Sequence, residues 1–358
     1  MFCTQPFNHI DIIVENDKVM LQPCNVWNAE TFNITEYKNS IEDLKNILAK
    51  SYHHPGCRIC HDEDKKNVRS RRVAQNQFAQ DNNLSLKKLQ SLGVRYGTLC
   101  NSKCMICSHR RSSSWVSDAE KLGIKVEEQY RYKKDLLPGV DVFFDNFDLD
   151  DLRYVEFHGG EPLMQDYPAD FLRRIKRLDQ LIVKFNTNLT VLPSSELEEL
   201  LNKCKRVDFL LSVDDVEERY EILRYPGKWD TFIKNMEMIR QKGYRTMAYN
   251  CLSSLNIFYA VEFYKWATKN FGNDVHSQFV VDQARLDISY LSQHAKNAVL
   301  EKIGNYKGKI FDSIRAKLNI QNDDRSRELV KYILDLDDIR KTNYPEVFKE
   351  WYTILTKE

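Results

Sequence analysis

The stretch GVRYGTLCNSKCMIC, from Gly93 to Cys107, places three cysteines directly after a segment with strand character. Cys100, Cys104 and Cys107 lie within residues 100–107. Three thiolates this close can wrap one face of a cubane cluster, and a four-iron cluster held by three cysteines leaves one iron open to another ligand. A zinc ion is the alternative, with His109 as a fourth ligand, because zinc sites usually have four ligands.

Downstream of this stretch, short β-rich runs alternate with amphipathic helical runs. A strand followed by a helix, repeated, predicts parallel strands joined by helical crossovers. Six such units are too few for a closed eight-fold barrel, so we expect an α/β fold with a partial (β/α)6, TIM-like barrel and its chemistry at the C-terminal strand ends. The predicted strands are Gly93–Thr98, Tyr154–Phe157, Leu181–Asn186, Val207–Ser212, Thr246–Asn250 and Gln278–Val281.

Polar residues follow several of these strands. Gly159-Gly160-Glu161-Pro162 follows the second strand, and its glycines let the backbone approach a ligand closely. Asn188 follows the third strand, Ser212 ends the fourth and Asn250 ends the fifth. We expect these groups to face the same mouth of the barrel.

The Cys-x3-Cys-x2-Cys spacing and the Gly-Gly-Glu-Pro motif together resemble the radical S-adenosylmethionine (SAM) superfamily. The resemblance implies that the open iron binds the amino and carboxylate groups of SAM. It also implies that reductive cleavage yields methionine and a 5′-deoxyadenosyl radical, which abstracts a hydrogen atom from a substrate. The cofactor-binding residues it implies, beside the metal ligands Cys100, Cys104 and Cys107, are Ile106, Gly159, Gly160, Glu161, Asn188, Ser212, Arg224 and Asn250.

Further assignments near this mouth stay open. Val280 and Val281 could touch the adenine of SAM or belong to the core. Cys251 could donate a hydrogen atom or form a thioether, although core packing is the more common role of such a cysteine. Arg110 to Trp115 could contact a phosphate or carboxylate of a substrate, or start a helix.

Four more cysteines precede the barrel: Cys3, Cys24, Cys57 and Cys60. Two of them flank a hairpin predicted from the alternating runs His9–Val14 and Lys18–Leu21, and four thiolates can fully ligate a second cluster. The pattern resembles the twitch or SPASM-type auxiliary-cluster domains, which precede the barrel in one branch. That branch also shows a run like Glu63 to Arg71 and a terminal Asp-x2-Arg, here Asp337 to Arg340. A structural zinc site is the alternative, and His53, His54 or His61 could replace a cysteine.

We therefore divide the chain into residues 1–90, a twitch or SPASM-like domain, residues 91–290, the partial barrel, and residues 291–358, a helical segment. Lys plus Arg total 53 and Asp plus Glu total 52, a balance that does not suggest nucleic-acid or membrane-surface binding. No apolar run is long enough to span a membrane, and the first residues lack the pattern of a signal peptide. We expect a cytoplasmic protein, in which clustered cysteines are more often metal ligands than disulfides.

The expected partners are SAM, a reductant such as flavodoxin or ferredoxin, and a substrate. No peptide-binding segment is recognisable before the barrel, which favours a small molecule such as a sugar or a nucleotide, although a peptide is an alternative. A non-enzymatic iron–sulfur or zinc protein, using its cysteines for structure or interaction, is the rival hypothesis.

Overall fold

The computed structural model describes residues 2–50, 54–65, 69–280 and 283–357. Over these ranges eight strands form one sheet in the order β2-β1-β3-β4-β5-β6-β7-β8. The predicted mixed α/β fold and the N-terminal hairpin are confirmed. Five of the predicted strands correspond to β3 to β7, and the sixth, Gln278–Val281, overlaps β8 only at Gln278 and Phe279. The strands are β1 (His9–Glu15), β2 (Lys18–Gln22), β3 (Ser91–Tyr96), β4 (Tyr154–His158), β5 (Ile182–Thr187), β6 (Arg206–Ser212), β7 (Arg245–Leu252) and β8 (Val275–Phe279).

Helices form much of the remaining chain, and none in the described ranges is both long and apolar enough to cross a membrane. They are α1 (Gln5–Asn8), α2 (Ile34–Lys50), α3 (Arg58–Lys65), α4 (Arg71–Asp81), α5 (Val116–Lys121), α6 (Asp141–Asn146), α7 (Tyr167–Arg174), α8 (Ser195–Leu201), α9 (Glu217–Leu223), α10 (Trp229–Gln241), α11 (Ala260–Phe271), α12 (Gln293–Ile303), α13 (Lys309–Leu318), α14 (Ser326–Arg340), α15 (Tyr344–Val347) and α16 (Lys349–Leu355).

Local hydrogen bonds explain where helices begin. The Asn33 side chain accepts from the backbone N–H of Glu36 at 2.9 Å, and the Glu36 carboxylate accepts from the N–H of Asn33 at 2.9 Å. These reciprocal bonds satisfy amides that a helix start leaves without partners. Asn343 caps α15 in a similar way, accepting from the N–H of Glu346.

The described chain comprises two compact units, of which the first contains residues 1–99, 128–187 and 192–209. In this unit β1 is antiparallel to β2 and parallel to β3. The parallel pairing runs from His9 opposite Ser91 to Val14 opposite Tyr96. The parallel order continues through β4 and β5. The unit therefore combines strands of the predicted N-terminal domain, residues 1–90, with strands of the predicted barrel.

One face of the sheet in the first unit is apolar. The Phe157 ring lies 5.3 Å from that of Phe185 on the next strand and 5.6 Å from that of Phe171 on α7, measured between centroids. All three side chains are fully buried. Burying a phenylalanine stabilises a fold by about 1.5–3 kcal/mol, so this layer holds the helices on the strands.

The second unit contains residues 100–127, 188–191 and 210–358. Strands β7 and β8 pair in parallel. The C-terminal helices, predicted as a helical segment, contribute large aromatic side chains to its core. The Trp351 ring stacks on Phe258 at 5.2 Å, and its indole N–H donates to the carbonyl of Ser254 at 2.8 Å. The end of the chain is thus part of the core of this unit.

Candidate active site

The cysteine loop, residues 100–107, follows β3 and has no regular secondary structure of its own. Side chains that come after it in the sequence hold it in place. Ser112 and Ser114 donate to the carbonyls of Ser102 and Cys100 at 2.7 and 2.6 Å. The Trp115 indole donates to the carbonyl of Cys104 at 2.8 Å. The segment Arg110 to Trp115, for which we expected a substrate contact or a helix start, therefore supports this loop.

Arg224 and Asp214 lie beside the loop. The Nη1 of Arg224 is 3.6 Å from the Sγ of Cys104, and its Nη2 is 2.9 Å from Oδ2 of Asp214. Both side chains of the ion pair are buried, at 8% and 1% exposure. Burial alone would lower the pKa of Arg224, but the Asp214 carboxylate raises it well above its usual range. A permanent positive charge therefore faces the sulfur of Cys104.

Burial dominates the acidity of these thiols. It raises the pKa of Cys104, against the lowering effect of Arg224, and it raises the pKa of Cys107 to about 12. The thiols would accordingly carry their protons at neutral pH in the absence of a metal. Thiolates are the metal-binding form, so binding of a metal group here releases protons.

The donor set of the loop fits an anionic iron–sulfur cluster. The cationic Arg224 lies against one sulfur, and its buried Nε has no hydrogen-bond partner among the described residues. In the same ranges no group of three or more His, Cys, Asp or Glu side chains is arranged to hold a metal ion. A four-iron cluster makes a different geometric demand, because each thiolate binds its own iron ion.

Several predicted cofactor residues lie in the same unit as the loop. Asn188 donates to Oγ of Ser102 at 2.9 Å and to Oδ1 of Asn101 at 3.0 Å, and its Nδ2 is 3.9 Å from the Sγ of Cys100. Gln283 donates to the Ile106 carbonyl at 3.4 Å. Asn188, which follows the third predicted strand, and Gln283 therefore both hydrogen-bond to the cysteine loop.

Asn250, Ser212 and Cys251 lie at the ends of β6 and β7. The Nδ2 of Asn250 donates to the carbonyl of Asp214 at 2.8 Å, while its buried Oδ1 has no partner in the described part of the chain. Ser212 is the last residue of β6 and is half-buried. Cys251 is buried and accepts from Nε2 of Gln278 at 3.5 Å. Val280 is buried in the core of this unit, and Val281 lies outside the described residues.

Gly159, Gly160 and Glu161 lie in the first unit. Both glycines have positive φ, +85° and +55°. A Cβ on Gly160 would come within 2.2 Å of the carbonyl oxygen of Leu99, so only glycine fits there. Glu161 is buried, and its Oε1 accepts from the Thr187 hydroxyl at 2.7 Å and from the Leu163 N–H at 3.2 Å. The carboxylate is therefore held in one fixed orientation.

The four N-terminal cysteines line one pocket in the first unit. Its other lining residues include Arg71, Arg72 and Gln75. Burial raises the pKa of three of these thiols to about 11, and it raises that of Cys24 further. Arg72 is buried and donates from Nε to Asp64 at 3.1 Å. The hairpin, α1 and the Cys-x2-Cys segment thus bring together thiols separated by up to 57 positions, from residue 3 to residue 60.

The histidines considered as substitute ligands differ in their surroundings. The Nδ1 of His54 accepts from the N–H of Gly56 at 3.1 Å, and its ring stacks on Trp27 at 4.9 Å. The Nδ1 of His61 is 3.8 Å from a carboxylate oxygen of Asp62. His53 lies outside the described residues, as does part of the run from Glu63 to Arg71.

Sequence analysis missed a second polar feature of the first unit. The face of the sheet opposite the phenylalanine layer carries ionisable side chains at alternate positions. Asp11 lies between two imidazoles, with Oδ2 3.3 Å from His9 and Oδ1 3.6 Å from His158. Burial alone would raise the pKa of Asp11, but the two histidines hold it well below its usual range.

The next strands continue this polar face. Glu156 accepts from Asn186 at 2.6 Å and pairs with Lys184 at 3.5 Å. Despite its burial, these neighbours lower the pKa of Glu156 to about 2. Parallel strands covered on both faces are usually apolar throughout, so polar residues at every second position were the signal that this face borders something other than a hydrophobic core.

Residues 94–267 match the family model described as the radical SAM superfamily. The match covers just under half of the chain and includes the cysteine loop, so it agrees with the resemblance that the cysteine spacing and the Gly-Gly-Glu-Pro motif carry. Comparison with curated proteins gives no match.

Among solved structures, polyhistidine-tagged anSMEcpe with bound AdoMet matches with a TM-score of 0.40 and 14% identity, over 71% of this chain. This chain spans 60% of the length of that protein. SuiB of Streptococcus suis bound to the precursor peptide SuiA matches with a TM-score of 0.35 and 15% identity, over 93% of this chain and 70% of that one. SuiB bound to S-adenosylmethionine has a TM-score of 0.36, also at 15% identity, over 93% of this chain and 69% of that one.

Proposed function

We propose that this chain is a radical SAM enzyme that cleaves SAM reductively and abstracts a hydrogen atom from its substrate. The observation that carries the proposal is the loop of Cys100, Cys104 and Cys107 inside a matched radical SAM domain, with Arg224 against the sulfur of Cys104. A metal site that serves only structure does not require a buried arginine beside one ligand. Here Asp214 holds Arg224 in that position.

The three cysteines would hold a four-iron–four-sulfur cluster, and the cluster with SAM would supply the 5′-deoxyadenosyl radical when bound. The residues around the loop would bind and orient the cofactor. The unpartnered Nε of Arg224 and Oδ1 of Asn250 are a donor and an acceptor suited to the polar groups of SAM. Ser212 and the backbone of Ile106 would add further contacts.

Glu161 would accept from the α-ammonium of SAM. Its Oε1 is already bonded by Thr187 and Leu163, so the carboxylate cannot rotate freely. The positive φ of Gly159 and Gly160 brings the backbone into a tight turn just before it. Glu161 would thus bind the α-ammonium without first having to reorient.

We further propose that Cys3, Cys24, Cys57 and Cys60 bind an auxiliary four-iron cluster in a twitch or SPASM-like arrangement. The support is that all four thiols line one pocket together with Arg71 and Arg72, cations that suit an anionic cluster. Four thiolates would leave no open iron, so this cluster would relay electrons or stabilise the fold rather than bind substrate. A zinc ion in the same pocket is the alternative.

The polar face of the first unit favours a polar substrate, either a small molecule such as a sugar or nucleotide or a polar part of a peptide. Its groups include Asp11 with its two histidines and the Glu156–Lys184 pair. Such groups can hydrogen-bond hydroxyl, amine or carboxylate groups that an apolar surface would desolvate. An external reductant such as flavodoxin or ferredoxin would supply the electron.

The test is anaerobic reconstitution followed by metal analysis and an assay for 5′-deoxyadenosine with SAM and dithionite. We expect roughly eight irons per chain and deoxyadenosine, falling to roughly four irons and no deoxyadenosine when Cys100, Cys104 and Cys107 are replaced by alanine. Cys204→Ala, which removes a thiol that donates to the Leu200 carbonyl in α8, is the matched control and should change neither. An iron-loaded chain that never cleaves SAM, even with candidate substrates, would support the non-enzymatic alternative.

A further inference from the structure

Helix α14 is linked to the cysteine loop by one direct hydrogen bond, from Tyr332, and by an indirect connection through Arg340 and Asp118. The Tyr332 hydroxyl donates to the carbonyl of Met105 at 2.5 Å. The Nε of Arg340, at the end of the helix, donates to Oδ2 of Asp118 at 2.8 Å. The other oxygen of Asp118 accepts from the Nζ of Lys103 at 2.7 Å. One carboxylate thus joins a cation of the loop to a cation of the C-terminal helix.

We call Lys103, Asp118 and Arg340 the loop triad. The side chains of Asp118 and Arg340 are 1% and 2% exposed, and that of Lys103 is 23% exposed. Burial would raise the pKa of Asp118, but its two cationic partners lower it, so the carboxylate stays ionised. Two positive charges and one negative charge leave the triad with one net positive charge.

The guanidinium of Arg340 lies near two aromatic residues that contact the cysteine loop. Its guanidinium lies 5.0 Å from the centre of the Trp115 ring and 5.4 Å from that of Tyr225. Trp115 donates to the carbonyl of Cys104, and the carbonyl of Tyr225 accepts from the N–H of Lys103 at 2.6 Å. Both aromatic residues that cover the guanidinium therefore also hold the loop.

The guanidinium of Arg340 is incompletely satisfied. Its Nη1 and Nη2 are buried and have no hydrogen-bond partner among the described residues. A buried donor without a partner is destabilising, so an arginine at this position calls for a compensating interaction. An anionic group bound to the loop would provide one. In keeping with this, the charge of Arg340 opposes the rise that burial causes in the pKa of Cys104.

We propose that the loop triad sets the reduction potential of the cluster held by Cys100, Cys104 and Cys107, with Arg340 and Lys103 raising it and Asp118 lowering it. The reason is electrostatic: reduction adds one negative charge, which a nearby buried cation stabilises and a nearby anion destabilises. An external low-potential donor supplies the electron. The three are positioning residues, and the inference rests on the proposed function to the extent that a cluster must form there.

The experiment is a redox titration of the reconstituted full-length chain followed by electron paramagnetic resonance. The signal of this cluster is identified by its change on addition of SAM. We expect Arg340→Gln to lower the equilibrium constant for one-electron reduction about tenfold, which is 59 mV. Asp118→Asn should shift the potential in the opposite direction, and Arg340→Lys should stay near the wild type. Lys269→Gln, at an exposed position of α11, removes the same charge outside the triad and should cause no shift.

The opposite signs separate electrostatic tuning from loss of structure, which would disturb both variants alike. If Arg340→Gln does not fold, Lys103→Gln tests the same sign and leaves the Arg340–Asp118 pair in place. Unchanged potentials in variants with full iron content, or shifts of the same sign in Arg340→Gln and Asp118→Asn, overturn the inference. A wild-type chain with no SAM-responsive signal would instead refute the proposed function.

Discussion

Asp214 fixes Arg224 beside the cysteine loop and at the same time fixes the end of β7. Its Oδ2 lies 2.9 Å from Nη2 of Arg224, and its Oδ1 accepts from the N–H of Cys251 at 2.9 Å. Its backbone carbonyl also accepts from Asn250 and Asn256 at 2.8 and 2.9 Å. One residue at the end of β6 therefore orients several of the groups proposed to surround SAM.

Asp214→Asn should strongly destabilise the protein. The substitution keeps the shape of the side chain but leaves the buried charge of Arg224 without its partner, which typically costs about 3–5 kcal/mol. Urea denaturation gives the unfolding free energy. Asp338→Asn is the control, because its pair with Lys341 is 85% and 80% exposed and should matter by less than about 0.5 kcal/mol. Equal losses in the two variants would contradict the prediction.

Glu161→Gln should weaken SAM binding while preserving the fold. Glutamine can still accept from Thr187, but it lacks the charge that would pair with the α-ammonium. Losing a hydrogen bond between charged groups costs about 1.5–3 kcal/mol, so we expect a dissociation constant about ten to a hundred times higher. Equilibrium dialysis with SAM measures it. Glu199→Gln, at an exposed position of α8, is the control and should bind SAM as the wild type does. If the affinity for SAM is unchanged in both variants, Glu161 does not bind SAM.

The paired substitution Cys57→Ala and Cys60→Ala tests the auxiliary cluster. The variant should contain roughly four irons instead of roughly eight, and it should keep the SAM-responsive signal of the loop cluster. Metal analysis after anaerobic reconstitution distinguishes the outcomes. Zinc in the wild type that disappears from the variant would assign the pocket to a structural zinc ion. Iron that stays at roughly eight would mean that these two cysteines are not ligands.

Asp215 should make stability fall as the pH rises. Burial raises its pKa to about 7 in the folded protein, above the ordinary 3.8, and the Arg219 cation only partly opposes this. Because the folded pKa is higher, the stabilising contribution is complete below the unfolded pKa and is lost as the pH rises through about 7. Each pKa unit corresponds to about 1.4 kcal/mol.

Unfolding free energies of the wild type and of Asp215→Asn at about pH 5 and about pH 8 measure this effect. Asparagine does not titrate, so the variant should lose less stability between the two values than the wild type does. The Oδ1 position that accepts from Arg219 and from the Val216 N–H is retained in the variant. Parallel behaviour of the two proteins would show that Asp215 does not titrate in this range.

Sequence reasoning was accurate where the signal is local. The strands after Gly93 follow from short apolar runs between amphipathic helices, and the cysteine spacing lies within one loop. Cys3 and Cys60 line one pocket, but metal binding by these cysteines stays a prediction.

Interactions between distant residues were not predictable. Asp11 requires a glycine at position 93, because a Cβ there would lie 1.8 Å from the Asp11 carboxylate. The sequence around neither residue indicates this contact. Arg340 and Asp118 are 222 positions apart. A charge pattern can indicate that a strand face is polar, but it cannot identify which partner on another strand or helix will meet each charge.

The parallel pairing of β1 with β3, from His9 opposite Ser91 to Val14 opposite Tyr96, restricts how the chain can be shortened. Removing residues 1–90 would strip β3 of its neighbour and leave its backbone N–H and C=O groups exposed along that side. Open sheet edges are templates on which separate molecules associate and aggregate. A chain that starts at residue 91 should therefore precipitate on expression, and a synthetic peptide containing the N-terminal hairpin should restore its solubility by pairing with the exposed edge of β3.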